Sequence, residues 1–145
     1  MKKNNTKEVG LAIVGAGRVG LFRGGTAAKH PSVGWIGYAE KSQNRGKFVK
    51  DKVGADFLTE DYRELINRPE VTAVVIATDE HLHVAPIMAA VEAGKPLLIE
   101  KPLATTLAES AATLAAIEKA GVDAVVGYTQ RFRRKWISGK EKVQS

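Results

Sequence analysis

Three groups of residues are spaced in a way that can do chemistry. Gly15-Ala16-Gly17-Arg18-Val19-Gly20 directly follows a short apolar run at residues 9–14 and opens a segment of helical pattern. In such a loop the first glycine permits a tight turn, and the second lets the backbone approach a phosphate with no Cβ in the way. The third lets helix and strand pack closely. The positive end of the helix then faces the phosphate charge. Three glycines at this spacing also arise in ordinary turns, so the flanking strand and helix give the loop its meaning. Glu40 follows Gly20 by twenty residues, at the end of the second apolar run, where a carboxylate can accept hydrogen bonds from ribose hydroxyls.

Strand, glycines, helix and acid together predict a bound nicotinamide dinucleotide. A carboxylate at Glu40 repels a 2′-phosphate, so NAD is expected ahead of NADP. Lys41, Ser42 and Arg45 are close enough in sequence to compensate a phosphate, which keeps NADP open. The third group is Glu100-Lys101-Pro102, after the fifth apolar run. A lysine there can donate to a substrate oxygen, and the proline restricts Lys101 to extended backbone and admits a cis peptide. Taken alone, the triplet reads as an ordinary charged turn.

These residues need elements to position them, and the chain alternates strand-like and helix-like segments throughout. Strands are expected at 9–14, 33–39, 55–58 (an edge), 71–77, 96–99 and 124–128. Helices are expected at 18–29, from a cap at Ser42 to residue 52, from a cap at Asp61 over 62–67, and at 81–93. A fifth helix begins at a capping box of Thr106 and Glu109 and ends near Gly121. Gly24 and Gly25 weaken the first helix by up to about 1 kcal/mol each relative to alanine. The rhythm predicts a Rossmann-type α/β fold, a doubly wound and mainly parallel sheet with helices on both faces. A closed eight-fold barrel would need about 250 residues.

At 145 residues the chain is one domain long, enough to bury roughly two thirds of the surface its unfolded form exposes. It has no cysteine, which excludes a disulfide framework, a thiolate nucleophile and a sulfur-ligated zinc; no metal site is expected. The opening Met-Lys-Lys-Asn-Asn-Thr is charged and the first apolar run is too short for a signal segment or a membrane span, so a cytoplasmic protein is expected. The net charge of +6 sits at the ends: Lys2, Lys3 and Lys7 at one, and six Lys or Arg from Arg131 onward at the other. The near-neutral body between them offers no footprint for a phosphate backbone, which argues against a nucleic-acid partner. Residues 1–130 are therefore expected to form the dinucleotide-binding domain. The basic tail 131–145, with Trp136, Ile137 and Val143 on one side of a helix, is either a frayed terminal helix or the start of a second domain.

The chain resembles the family of glucose-fructose oxidoreductase and inositol dehydrogenase. The resemblance runs from about residue 9 to residue 143 and is carried by the glycine loop, Ala77-Thr78-Asp79-Glu80-His81-Leu82-His83, Glu100-Lys101-Pro102-Leu103-Ala104 and Gly127-Tyr128-Thr129-Gln130-Arg131-Phe132. It implies an NAD(P)-dependent oxidoreductase of a sugar, inositol or related polyol. Lys101 would lie near the nicotinamide and the reacting hydroxyl, and Ala77, Thr78, Asp79, His83, Glu100 and Gln130 would lie on the cofactor side. Where the family has Thr-Pro-Asn, this chain has Thr78, Asp79 and Glu80, two acids that either face solvent or disfavour a second phosphate. His81 and His83 also read as polar residues of a first helical turn. Thr129 and Gln130 replace a pair that often contains asparagine or arginine.

Family members continue into a second α/β domain that shapes the substrate pocket and supplies an aspartate and histidine pair. The residues here stop as that domain would begin. The expectation is a cofactor-binding domain that binds NAD weakly and turns over little by itself, with exposed apolar surface that drives self-association. The alternatives are a stand-alone NAD-binding regulator or sensor, and an interaction protein acting through its basic tail.

Overall fold

A computed structural model describes residues 9–144; the charged opening residues 1–8 and Ser145 lie outside the described residues. Six strands form one sheet: β1 (Val9–Val14), β2 (Val33–Ala39), β3 (Phe57–Thr59), β4 (Ala73–Ile76), β5 (Leu97–Ile99) and β6 (Ala124–Val126). Their order is β3-β2-β1-β4-β5-β6 and every pairing is parallel, so β1 is central, with Ile13 opposite Tyr38 on one side and Val75 on the other. The chain thus winds outward from β1 in one direction and, after crossing back, outward from β4 in the other. A crevice opens at the carboxyl edge where the two directions part.

The crossovers are α1 (Arg18–Ala27), α2 (Gln43–Val53), α3 (Tyr62–Ile66), α4 (Val84–Glu92) and α5 (Leu107–Ala120). Helices α1 and α2 touch each other on one face, while α3, α4 and α5 form a contiguous layer on the other. Right-handed crossovers require this split. Side-chain alternation along β1 divides the core accordingly. Ala12 and Val14 pack with Leu65, Ile66, Ile76 and Ile87 on the α3–α5 side, and Ile13 packs with Tyr38, Val49 and Val75 on the α1–α2 side.

Several boundaries differ from expectation, each for a hydrogen-bonding reason. Gly54 adopts the left-handed conformation at the end of α2, and Ala55 N–H donates to the Lys50 carbonyl at 2.9 Å, so Ala55 closes the helix and β3 begins later. Ser42 stands at the N-cap of α2, yet its side chain caps nothing; its N–H donates to Glu40 Oε1 instead. Residues 80–82 form a 3₁₀ turn ahead of α4. The α5 cap is reciprocal: Thr106 Oγ1 accepts the Glu109 N–H at 3.2 Å and donates to Glu109 Oε2 at 2.9 Å. Beyond β6, residues 129–132 make another 3₁₀ turn, and α6 (Arg134–Gln144) carries Trp136, Ile137 and Val143 exposed. Among the described residues, no helix is long and apolar enough to cross a membrane.

Tyr38 is fully buried and donates from its hydroxyl to the Gly20 carbonyl at 3.0 Å, which ties β2 to the start of α1. Burial pushes its hydroxyl up to about 12, from an ordinary value near 10. Between those values the unfolded chain releases a proton that the folded chain keeps. Stability is therefore expected to fall with rising pH by about 1.4 kcal/mol per unit across that window, about 3 kcal/mol in all. Urea midpoints taken from pH 9 to pH 12 check this: Tyr38→Phe should show a flatter decline than wild type, and parallel profiles would exclude it.

Candidate functional site

The glycine loop lies where β1 ends, beside the carboxyl ends of β2 and β4. Gly15 has φ of +98°, and its N–H donates to the Ala39 carbonyl at 2.9 Å. A Cβ on Gly15 would sit 2.6 Å from the Ala77 carbonyl oxygen, so glycine is required twice over, by conformation and by space. A Cβ on Gly20 would sit 2.0 Å from the Gly15 carbonyl oxygen, the close packing of helix on strand expected of a third glycine. Gly17 differs: a Cβ there would meet no protein atom within 4 Å. The space beside it is open to a ligand.

Glu40 stands at the end of β2 and braces this loop. Its Oε2 accepts the Ala16 N–H at 2.9 Å and its Oε1 accepts the Ser42 N–H at 2.9 Å. Each carboxylate oxygen has a second lone pair, so the bracing leaves acceptors for a ribose. The sequence puts Glu40 at the end of β2, as the structure has it, but gives no sign of this bracing, because the Ala16 contact spans 24 residues.

Two clefts meet at the loop, and Gly17, Ala77, Thr78 and Asp79 line both. The first, of about 530 Å³, runs over the β2 side and is lined also by Gly15, Glu40, Lys41, Arg45, Tyr62, Leu82 and Pro86. The second, of about 490 Å³, runs over the β5 side and is lined also by Arg18, Val19, His83, Glu100 and Lys101. A long ligand can thus lie across the crevice with its middle at Gly17 and the N-terminus of α1. At the junction, Thr78 Oγ1 is buried with no hydrogen-bond partner. Open space at the loop, donors at a helix start, a free hydroxyl and a carboxylate on one side fit a dinucleotide. Tyr62, Leu82 and Pro86 are apolar walls that sequence reasoning missed; they lie at the starts of α3 and α4, where an apolar residue reads as core.

The third group contributes Glu100 and Lys101 to the lining of the second cleft. Lys101 is exposed in the turn after β5, and its peptide bond to Pro102 is cis. Glu100 is held from α1: Arg23 Nε donates to Glu100 Oε1 at 2.6 Å, and the two form an ion pair. The sequence offers no signal for that partnership across 77 residues. His83 is 1% exposed, with Nδ1 at 2.7 Å from the Pro102 carbonyl and Nε2 at 3.2 Å from the Thr78 carbonyl. Asp79 and Glu80 are both exposed, Asp79 at the mouths of both clefts and Glu80 at the second. Gln130 is not brought to either cleft; its Oε1 accepts the Trp136 Nε1–H at 2.9 Å, which joins it to α6. Among the described residues, no group of three or more His, Cys, Asp or Glu could hold a metal ion.

Known proteins resemble this chain in sequence and in fold. Inositol 2-dehydrogenase 1 of Saccharopolyspora erythraea is 34% identical over 139 residues, which cover 94% of this chain and 40% of that protein. The scyllo-inositol 2-dehydrogenase (NAD(+)) of Bacillus subtilis is 28% identical, over 95% of this chain and 41% of that protein. In fold, the chain matches the crystal structure of scyllo-inositol dehydrogenase from Lactobacillus casei with bound NAD(H) and scyllo-inositol. The TM-score is 0.86 at 22% identity, over 94% of this chain and 41% of that one. This chain therefore spans about two fifths of the length of these relatives. A family model described as oxidoreductase family, NAD-binding Rossmann fold, matches residues 9–128, and the chain belongs to that family, Gfo/Idh/MocA.

Proposed function

We propose that this chain is the cofactor-holding part of a dehydrogenase of inositol or a related cyclic polyol, with NAD as its preferred cofactor. The observation that carries this reading is the pair of clefts meeting at Gly17, one with a carboxylate and apolar walls, the other with Lys101. The adenosine half lies toward Glu40 and the nicotinamide half toward Lys101. The Gly17 backbone and the first turn of α1 take the diphosphate. When bound, NAD would supply the acceptor for a hydride from the carbon that bears the reacting hydroxyl, and the hydroxyl proton would pass to a base or to water. Lys101, an ammonium on a flexible stem, donates a hydrogen bond to that hydroxyl oxygen and stabilises negative charge there. The relatives' names support the substrate class, inositol.

Glu40 bears on cofactor choice because a carboxylate beside the adenosine ribose would accept from its 2′-hydroxyl and repel a 2′-phosphate there, although Lys41 and Arg45 line the same cleft. Calorimetric titration of the chain with NAD and NADP tests both points. Wild type is expected to bind NAD more tightly. Glu40→Ala removes an ionic acceptor and is expected to weaken NAD by about ten- to a hundredfold while weakening NADP less. NAD binding that survives this substitution unchanged would sink the ribose contact. In the same samples, myo-inositol with NAD is expected to yield little NADH, since a positioned general base contributes about 10²- to 10⁴-fold, while the groups beside Lys101 are exposed (Asp79, Glu80) or already engaged (Glu100 with Arg23, His83 with backbone carbonyls). Brisk turnover by the 145-residue chain would refute this and would favour a self-sufficient enzyme.

A further inference from the structure

We infer that His83 is a positioning residue, which fixes the turn carrying Lys101 by tying the Pro102 carbonyl to the head of α4. This rests on the cofactor reading above only for its consequence; the tie itself is a property of the chain. The β4–β5 ladder ends with Ile76 opposite Ile99 and a last bond from Glu100 N–H to the Ile76 carbonyl at 2.9 Å. Past that point both strands become loops, one through Thr78 and the other through Lys101. Nothing in a parallel ladder holds such loops together. His83, at the head of α4, spans the gap with one ring.

The ring's chemistry decides what it does there. Carbonyl oxygens only accept, so each contact requires an N–H on the imidazole, and a neutral ring has one. The 2.7 Å contact at Nδ1 is the better hydrogen bond, against 3.2 Å at Nε2. The tie to Pro102 therefore takes the proton. With both nitrogens facing backbone carbonyls and 1% of the residue exposed, neither is left for a ligand. His83 borders the second cleft, and with both ring nitrogens turned to backbone carbonyls it acts on the cofactor side through Lys101 and not by hydrogen bonding to the dinucleotide.

Arg23 completes the arrangement by holding Glu100 from α1. Lys101 is flanked by one neighbour anchored through its side chain and another anchored through its carbonyl. A lysine stem is flexible, so the backbone is where its position can be fixed.

The test uses the 145-residue chain, labelled with ¹⁵N and free of cofactor. Long-range proton–nitrogen correlation in wild type is expected to find the His83 proton on Nδ1; a ring protonated at Nε2 alone overturns the inference without any variant being made. Two substitutions then separate the two ring contacts. His83→Asn places an amide donor near the Nδ1 position and keeps the bond to Pro102, whereas His83→Gln carries its amide toward the Nε2 position, beside the Thr78 carbonyl, and loses the bond to Pro102.

Backbone ¹⁵N relaxation at Lys101 and Leu103 is expected to show added fast motion in His83→Gln and wild-type behaviour in His83→Asn, with β1 unchanged in both. Equal behaviour of the two variants, or an unmoved Lys101 in His83→Gln, overturns the tie. Titration with NADH and with ADP-ribose reads its consequence: His83→Gln is expected to weaken NADH about fivefold, the worth of one hydrogen bond, and to leave ADP-ribose unchanged. A wild-type chain that binds neither ligand sinks the cofactor reading instead, and the relaxation result still decides the tie.

Discussion

Gly17→Ala is expected to leave the fold standing and strip it of dinucleotide affinity, while Gly20→Ala is expected to break the first βα unit. The two glycines lie three residues apart in one loop, and their surroundings are opposite. The added methyl at Gly20 would enter the Gly15 carbonyl, an oxygen fixed by the turn itself, with nothing flexible to give way. A cost of about 3 kcal/mol or more follows from overpacking of this kind, a large share of the roughly 5–15 kcal/mol that holds a domain together. At Gly17 the methyl meets no protein atom within 4 Å, and φ of −68° suits alanine. The small loss of N-cap preference is offset by a less flexible unfolded chain, so melting should stay within about 1 kcal/mol of wild type. What the methyl occupies is the space shared by the two clefts, and an NAD affinity lower by about tenfold or more is expected. Thermal melts and titration of both variants check the pair. A Gly17→Ala chain that binds NAD as wild type does would mean that the diphosphate does not pass there.

The contrast shows which parts of this protein its sequence reveals. The loop is legible because its parts are contiguous: strand end, three glycines and helix start follow one another, although the Ala77 carbonyl that crowds Gly15 comes from 62 residues away. The doubly wound architecture is legible for a similar reason, since apolar runs alternating with capped helices leave few ways to build a parallel sheet. Glu40 is found by its distance from the loop, but its bond to the Ala16 N–H is not, because β2 must first pair with β1. The same limit hides Arg23 behind Glu100 and the two carbonyls around His83. At Ser42 the local rule holds in part: the residue stands at the N-cap of α2, but its hydroxyl makes no capping hydrogen bond. Gln130 shows how far a motif carries: its place in a recognised run does not bring it to the clefts, because the 3₁₀ turn joins it to Trp136.

Gly24 and Gly25 look alike in the sequence, two residues that cost α1 helix propensity, and the structure predicts that alanine at one will do damage while alanine at the other will help. A Cβ on Gly24 would lie 1.7 Å from Tyr38 Oη and 3.0 Å from Ile13 Cδ1, in the core between α1 and the sheet. Tyr38 cannot retreat, being fully buried with its hydroxyl bonded to the Gly20 carbonyl. Gly24→Ala is therefore expected to cost about 3 kcal/mol. Gly25 has no neighbour within 4 Å of its missing Cβ, so Gly25→Ala should gain up to about 1 kcal/mol, seen as roughly 3–5 °C in the melting temperature. A double substitution separates packing from propensity. Tyr38→Phe deletes the atom closest to the new methyl, so Gly24→Ala combined with Tyr38→Phe should be more stable than the sum of the two single losses. If instead the losses simply add, the clash is not with the tyrosine hydroxyl. The helix would then be sensitive at Gly24 for its close approach to Ile13, and the tie between β2 and the start of α1 would have to be carried by contacts other than this one.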